Sequence, residues 1–249
     1  MYQFFIEDEN AAEDFVTIEG SDVNHIKNVL RMKPGEKIRV CTRSGQNYFC
    51  SISDITESFV RADILEKEAE STELPCRIYL FQGLPKNDKM EWIIQKTVEL
   101  GVYEVIPVAM KNCVVKLDDK KAKSKVMRWQ AIAESAAKQS KRSLIPEVKM
   151  PMSYKEAVVY AKELDVKLVP YENEHGMAGT KAAMEQIKKG ESIAVFIGPE
   201  GGFAPEEIAL VQDEMQLISL GKRILRTETA GIAALAILGY QLESSDMIE

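Results

Sequence analysis

Arg223, Arg226 and Glu228 stand within six residues of one another, just after the break Leu220-Gly221. Arginine stays charged at neutral pH and cannot act as a general base, but it can stabilise an anion forming on a bound molecule. The plainer reading of Arg226 and Glu228 is an ion pair at a helix start, worth under about 1 kcal/mol if exposed. Upstream lies Gly198-Pro199-Glu200-Gly201-Gly202, with three glycines in five residues. Glycines let a ligand approach the main chain closely. The loop could cradle an anion through its backbone amides. Its apolar neighbours Leu220, Ile224 and Leu225 suit an uncharged ring better, and Glu200 favours a cationic ligand over a phosphate.

Other chemistries lack their residues. No Gly-x-Gly turn and no Gly-Lys-Ser/Thr phosphate loop occurs. His25 and His175 have no Ser or Cys partner at recognisable spacing. Cys41, Cys50, Cys76 and Cys113 are far apart and include no Cys-x-x-Cys. Free thiols are therefore expected, with neither a zinc site nor a disulfide framework.

Strand ends position the reactive stretches. Ile193–Ile197 is a five-residue apolar run that suits a buried parallel strand, and Pro205-Glu206-Glu207 opens a helix after its glycine loop. Leu217–Leu220 is a second short strand, followed by a helix capped by Thr227 or Thr229 and running through Ile232, Leu235 and Leu238. Two glycine-broken loops at strand ends form the crevice where α/β sheets bind ligands.

Residues 1–70 read as short strands (2–6, 15–18, 38–41, 48–52, 59–65) with one helix, Asp22–Leu30, capped by Ser21 and burying Val23, Ile26, Val29 and Leu30. The pattern is that of a small barrel of the size binding modules use. A charged stretch ending at Pro75 reads as a linker, residues 71–75 separating domains 1–70 and 76–249. From Arg77 onward strands and helices alternate, which implies a mainly parallel α/β sheet. Strands are expected at 78–81, 105–109 and 166–170, and helices at 88–100, 120–142, 154–164 and 180–188. Lys121, Lys125, Arg128, Lys138 and Arg142 lie on the outer face of the longest helix.

The 249 residues are 45% hydrophobic, enough for a sizeable core. No apolar run is long enough to span a membrane. The first residues lack a signal peptide's basic start and apolar middle, so a cytoplasmic protein is expected. A net charge of −7 opposes indiscriminate nucleic-acid binding, yet residues 27–43 and 111–149 are strongly basic. With Lys222, Arg223 and Arg226, these patches favour a localised RNA site over ordinary solvated faces.

Two C-terminal stretches, Ile197–Gly202 and Leu220-Gly221-x-Arg223-Ile224-Leu225-Arg226-x-Glu228-Thr229-Ala230, closely resemble the 16S ribosomal RNA uridine-N3 methyltransferases of the SPOUT superfamily. Gly83-Leu84-Pro85-Lys86, the segment from Asp88-Lys89 to Gly101, and the segment from Arg128-Trp129 to Pro146 extend the match. In the N-terminal region His25-Ile26, Leu30-Arg31 and Gly35 fit as well. The resemblance implies a PUA-like N-terminal RNA-binding domain and a SPOUT domain with a C-terminal trefoil knot. It implies S-adenosylmethionine as cofactor, 16S RNA or the small ribosomal subunit as partner, no metal, and a homodimer.

By the same resemblance, Tyr171, Glu172, Gly198, Pro199, Glu200, Gly201, Gly202, Leu220, Gly221, Ile224, Leu225 and Thr229 hold the cofactor. Arg226, or else Arg223, stabilises the uracil anion, with Glu228 orienting the arginine. His25, Arg31, Lys86, Arg128 and Arg142 are the expected RNA contacts, although a structural role for His25 is also open. Two positions depart from the family: Gln3 stands where arginine is frequent, and Gly231 where proline usually follows Ala230. The second departure implies a more mobile last loop. A non-catalytic RNA-binding protein, a methyltransferase for another RNA site, and a nucleotide-dependent transferase are the competing readings.

Overall fold

The computed structural model describes residues 1–68, 71–174 and 176–244; His175 and part of the charged stretch before Pro75 lie outside the described residues. The chain forms two units, Met1–Glu73 with Ala137–Ile145, and Leu74–Ala136 with Pro146–Glu249.

The first unit contains β1 (Tyr2–Ile6), β2 (Phe15–Glu19), α1 (Ser21–Asn24), β3 (Lys37–Thr42), β4 (Asn47–Ile55) and β5 (Phe59–Glu68). Its sheet has the order β1-β3-β4-β5-β2. β1 pairs with β3 in parallel and the other pairings are antiparallel. The end strands β1 and β2 are not hydrogen-bonded to each other, so the expected barrel is an open half-barrel. Alternation along the strands turns Phe4, Ile6, Val16, Ile18, Ile38, Val40, Ile52 and Val60 into one core, joined by Val23 and Ile26.

The expected helix at 22–30 is only one α turn, followed by a π-helical turn over His25–Val29. The Leu30 amide donates to the His25 carbonyl at 2.8 Å, five residues back. That widening keeps Val23 and Ile26 inside but turns Val29 out to 65% exposure, against the sequence expectation. Ser21 does not cap the helix either. Gly20, at φ +71°, holds the N-cap position, with no side-chain cap bond.

The segment 137–145 supplies internal ties within this unit. Lys141 has φ +63°, so the chain leaves the helical path before Arg142. Arg142 is consequently buried, with its Nε 3.1 Å from Glu73 Oε2 and its Nη2 bonded to the same oxygen. The other Glu73 oxygen accepts from the Ser143 amide at 2.8 Å. This removes Arg142 from the solvated face where helical spacing had placed it, and from the set of RNA contacts. Arg39, counted in the first basic patch, is likewise buried and donates to Glu68 at 2.6 Å. Gln3 is buried too, its amide donating to the Arg142 carbonyl at 2.6 Å.

The second unit contains β6 (Arg77–Gly83), α2 (Lys89–Glu99), β7 (Val102–Ala109), α3 (Asp119–Ser140), β8 (Glu147–Val148), β9 (Met152–Ser153), α4 (Tyr154–Ala161), β10 (Val166–Pro170), α5 (Ala178–Glu185), β11 (Ser192–Ile197), α6 (Pro205–Val211), β12 (Gln216–Ile218) and α7 (Thr227–Ser244). The end of α3, from Ala137, is counted in the first unit. The sheet order is β12-β10-β11-β6-β7-β8, with β9 also on β7. Its pairings are all parallel. Every residue of β11 is buried, as a central strand between two covered faces requires. β8 and β9 have two residues each, too short to carry a period readable in sequence.

α7 begins at Thr227, so Gly231 lies inside the helix and not at its start. A Cβ at Gly231 would come within 3.2 Å of Gln82 Oε1. Tight packing, and not a loosened loop, is what this glycine accompanies.

Removing one partner of a buried charge pair leaves the other uncompensated. Arg142→Ala is therefore expected to destabilise the protein by about 3 kcal/mol, measured as a shift of the urea midpoint. A loss within experimental error would return Arg142 to the surface role.

Candidate active site

The carboxyl ends of β10, β11 and β12 open into a cleft of about 490 Å³, within the size range of small-molecule sites. The loops after these strands form its walls. Tyr171 and Glu172 follow β10, Gly198, Pro199, Glu200 and Gly202 follow β11, and Leu220, Gly221, Ile224 and Leu225 follow β12. Arg223 and Arg226 line it as well. Thus most of the residues singled out in sequence converge on one cavity. Gly201 and Thr229 are not among its walls, and neither is Glu228.

The glycine loop is shaped by close approach on three sides. Gly202 has φ +65°, and a Cβ there would sit 3.3 Å from the Glu172 carboxylate. A Cβ at Gly198 would meet Gly202 backbone at 3.1 Å. Behind the loop, Asn112 donates its amide to the Gly201 carbonyl at 2.9 Å and to that of Gly202 at 3.2 Å. Gly201 therefore packs against Asn112 from outside the cleft. Glu207 steadies the next helix, accepting from the Ala204 and Lys111 amides at 2.8 Å each.

Thr227 joins this loop to the start of α7. Its hydroxyl donates to the Gly198 carbonyl at 2.6 Å and accepts from Gln82 Nε2 at 2.9 Å. The expected capping by Thr227 is thus replaced by a cross-link to the neighbouring strand end. Thr229 is exposed two positions further along the helix.

The charges pair differently from the sequence expectation. Lys89, at the start of α2, places its ammonium 3.1 Å from Glu200 Oε1 and 3.2 Å from Glu228 Oε2. The Glu200 oxygen also accepts from the Lys86 amide at 3.0 Å. Burial pushes the Glu200 carboxyl up, but its own amide, the Lys86 amide and the Lys89 ammonium outweigh this and hold it below its ordinary range. Glu200 and then Glu228 raise Lys89 above the ordinary lysine range. Glu200 therefore does not face a ligand as a lone carboxylate. Glu228 answers to Lys89, and no ion pair between Glu228 and Arg226 forms among the described residues. The guanidinium groups of Arg223 and Arg226 carry no acidic partner there and stay exposed on the cleft wall.

Lys89, Asn112, Gln82 and Phe203 are the parts of this site that residue chemistry in the sequence did not single out. Lys89 lies in a stretch matched by resemblance, but its contacts are more than a hundred residues away in sequence. Nothing local marks it. Of the expected RNA contacts, His25, Arg31, Lys86 and Arg128 are exposed, and Arg128 pairs with Glu91 at 2.8 Å. Arg31 has φ +53°, uncommon for a residue with a side chain.

The cleft suits S-adenosylmethionine. Among the described residues the amides of Lys222, Ile224 and Leu225 have no hydrogen-bond partner within the protein, leaving backbone donors for an adenine edge. Leu220, Ile224 and Leu225 offer apolar faces to a ring, and Glu172 and Glu174 place negative charge by a cationic ligand. Among the described residues no group of three His, Cys, Asp or Glu side chains is placed to hold a metal ion. No described helix is long and apolar enough to cross a membrane. All four cysteines are free thiols.

Gly83 sets how closely β6 approaches the cleft loop: a Cβ there would lie 2.6 Å from the Pro199 nitrogen and 2.7 Å from its Cδ. Gly83→Ala must displace backbone. It is expected to cost about 1–3 kcal/mol of stability, read from urea unfolding. An unchanged midpoint would mean the loop shifts freely.

Comparison with known proteins places these features in context. A family described as RNA methyltransferase domain matches residues 72–239, and one described as RNA methyltransferase PUA domain matches residues 18–65. The chain is 39% identical to ribosomal RNA small subunit methyltransferase E of Bacillus subtilis, over 98% of each chain. It is 36% identical to the protein of that name from Mesomycoplasma hyopneumoniae, over 93% of this chain and 96% of that one. A crystal structure of ribosomal RNA small subunit methyltransferase E from Neisseria gonorrhoeae bound to S-adenosyl methionine superposes with TM-score 0.83 at 32% identity, covering 96% of both chains.

Proposed function

The chain belongs to the ribosomal RNA small subunit methyltransferase E family, and from that premise we propose that it methylates N3 of one uridine in 16S ribosomal RNA. It is an S-adenosylmethionine-dependent 16S ribosomal RNA methyltransferase with an N-terminal PUA-like half-barrel and a parallel-sheet SPOUT domain. The observation that carries the mechanism is the pair of exposed arginines, Arg223 and Arg226, on the wall of the cleft, neither of which has an acidic partner among the described residues.

When bound, S-adenosylmethionine supplies an electrophilic methyl on sulfonium sulfur. The residues of the three loops would hold it: backbone at Leu220–Leu225 for the adenine, the glycine loop for close approach, and Glu172 for its positive charge. The uracil must leave its stack to be reached, and its N3 must give up a proton to solvent to become nucleophilic. Arg226, with Arg223 as the less favoured alternative, stabilises the negative charge on the ring. Glu228 acts on this geometry from behind the cleft, through Lys89. Positioning supplies most of the acceleration in such a transfer.

Within each unit taken by itself, RNA contacts are assigned to His25 and Arg31 in the first and to Lys86 and Arg128 in the second. These exposed groups would grip phosphate, each contact adding to the salt dependence of binding. We also assign the trefoil knot to the two C-terminal loops, on their resemblance, and a cytoplasmic location beside the ribosome. A homodimer is supported by α7, whose outward Tyr240 is 75% exposed, and by Trp92 of the neighbouring α2, 53% exposed.

Arg226→Ala is expected to abolish formation of N3-methyluridine in 16S RNA while S-adenosylmethionine affinity stays within about threefold. Labelled-methyl transfer to subunits from cells lacking the protein, with nucleoside identification, and calorimetry of cofactor binding provide the two readouts. A comparable fall in both would assign Arg226 to the cofactor cradle. No methylated uridine with wild-type protein would remove the proposed target.

A further inference from the structure

The two halves of the site are carried by different parts of the chain. The cradle is the glycine loop after β11, and the anion-stabilising Arg226 directly precedes α7. Their relative position must survive ligand exchange, and among the described residues two polar connections tie them beyond the packing of α7 on the sheet. One is neutral, from the Thr227 hydroxyl to the Gly198 carbonyl at 2.6 Å. The other is ionic and runs through Lys89.

Lys89 comes from neither half. It stands at the first position of α2, after the β6 strand end whose Gly83 packs on Pro199. Its ammonium lies 3.1 Å from a carboxylate of the glycine loop, Glu200, and 3.2 Å from a carboxylate of the first turn of α7, Glu228. The three side chains are between 20% and 29% exposed, so solvent screens the pairs only in part. Glu228 Oε2 is fully buried and makes no hydrogen bond, leaving this ammonium as its compensation. Without Lys89, Glu200 and Glu228 would face one another as two partly buried like charges.

We propose that Lys89 is a positioning residue whose ammonium clamps the glycine loop to the first turn of α7, holding the cofactor cradle and Arg226 in one geometry. The proposal rests on the methyltransferase reading for what that geometry serves. The clamp itself is a property of the unliganded protein. A lysine fits the role because a compact ammonium on a flexible stem can serve two carboxylates from different directions.

Lys89→Met removes the charge and keeps much of the stem, and Lys89→Arg keeps the charge. In unliganded protein, NMR-detected hydrogen exchange should report the clamp at the Gly202 amide, bonded to Pro199, and at the Ala230 amide, bonded to Arg226. Both are expected to exchange at least about tenfold faster in Lys89→Met, with amides inside β6 and β11 unchanged. In the loaded enzyme, kcat for methyl transfer to 16S RNA should fall by about tenfold or more while KM for RNA and Kd for S-adenosylmethionine move less than about threefold. Lys89→Arg should recover most of both effects. Unchanged exchange at Gly202 and Ala230 would overturn the clamp. Faster exchange throughout the unit, or a cofactor affinity that falls as far as kcat, would overturn the positioning role in favour of a general structural one. Wild-type protein that methylates no RNA would sink the reading of the reaction, while the exchange measurement would still decide the clamp.

Discussion

β6 and β11 run side by side in parallel, from Arg77 against Ser192 to Gln82 against Ile197, and Phe81 stacks on Phe196 with ring centroids 4.3 Å apart. This pairing makes both strands end at the same edge, so that Gly83 and Gly198-Pro199 leave the sheet together. The fit there is closer than a side chain allows: a Cβ on Gly83 would meet the Pro199 nitrogen at 2.6 Å. Everything that defines the cleft is hung on that contact. Gln82 reaches Thr227, Thr227 reaches Gly198, and Lys89 reaches Glu200 and Glu228, all from chain that follows or flanks these two strand ends. A parallel sheet is well suited to this, because successive strands deliver their carboxyl ends to one edge.

The electrostatic design follows from the same crowding. Acidic and basic groups around the cleft are sorted into those that neutralise one another and those that stay open. Glu200 on the wall is paired with Lys89, which also holds Glu228 behind it. Arg223 and Arg226 have no acidic partner among the described residues and stay on the wall itself. An arginine held by a carboxylate would have part of its charge already satisfied and would stabilise a developing anion less. Glu228 pairs with Lys89 in place of the arginine expected from sequence, which leaves the charge of Arg226 unshared among the described residues.

What was legible in sequence follows from which signals are local. The central strands and the two glycine loops stand out because a short apolar run ending in glycine means the same thing wherever it occurs, and β10 was expected at the residues it occupies, Val166–Pro170. Helical periodicity located α2 and α3 for the same reason. It failed at Arg142, where one residue in left-handed backbone, Lys141, takes the chain off the helical path and turns an apparently solvated arginine into a buried partner of Glu73. It failed at Val29, where a π turn shifts the face by one residue. Charge pairing was the least legible, because Lys89 and its carboxylates meet only through the fold. The glycine at 231 shows the converse: its departure from the family's proline suggested a loose loop, whereas helix start and neighbour distance place it in a packed interior.

These corrections bear on how the basic surface should be weighed. Counting lysines and arginines along the chain treats all as available to polyanions, but Arg39 and Arg142 are consumed by Glu68 and Glu73 inside the first unit. Lys138 is tied to Asp22 at 3.0 Å, and Arg128 to Glu91 at 2.8 Å. Buried pairs cannot release counterions on binding RNA, because they hold none; exposed pairs can exchange partners at little energetic cost. Arg142 and Arg39 therefore act through stability, and the basic surface is made by the exposed cations alone. The net charge of −7 then has a clear role. It opposes adhesion to nucleic acid in general, so that engagement depends on the few places where cations are grouped and free.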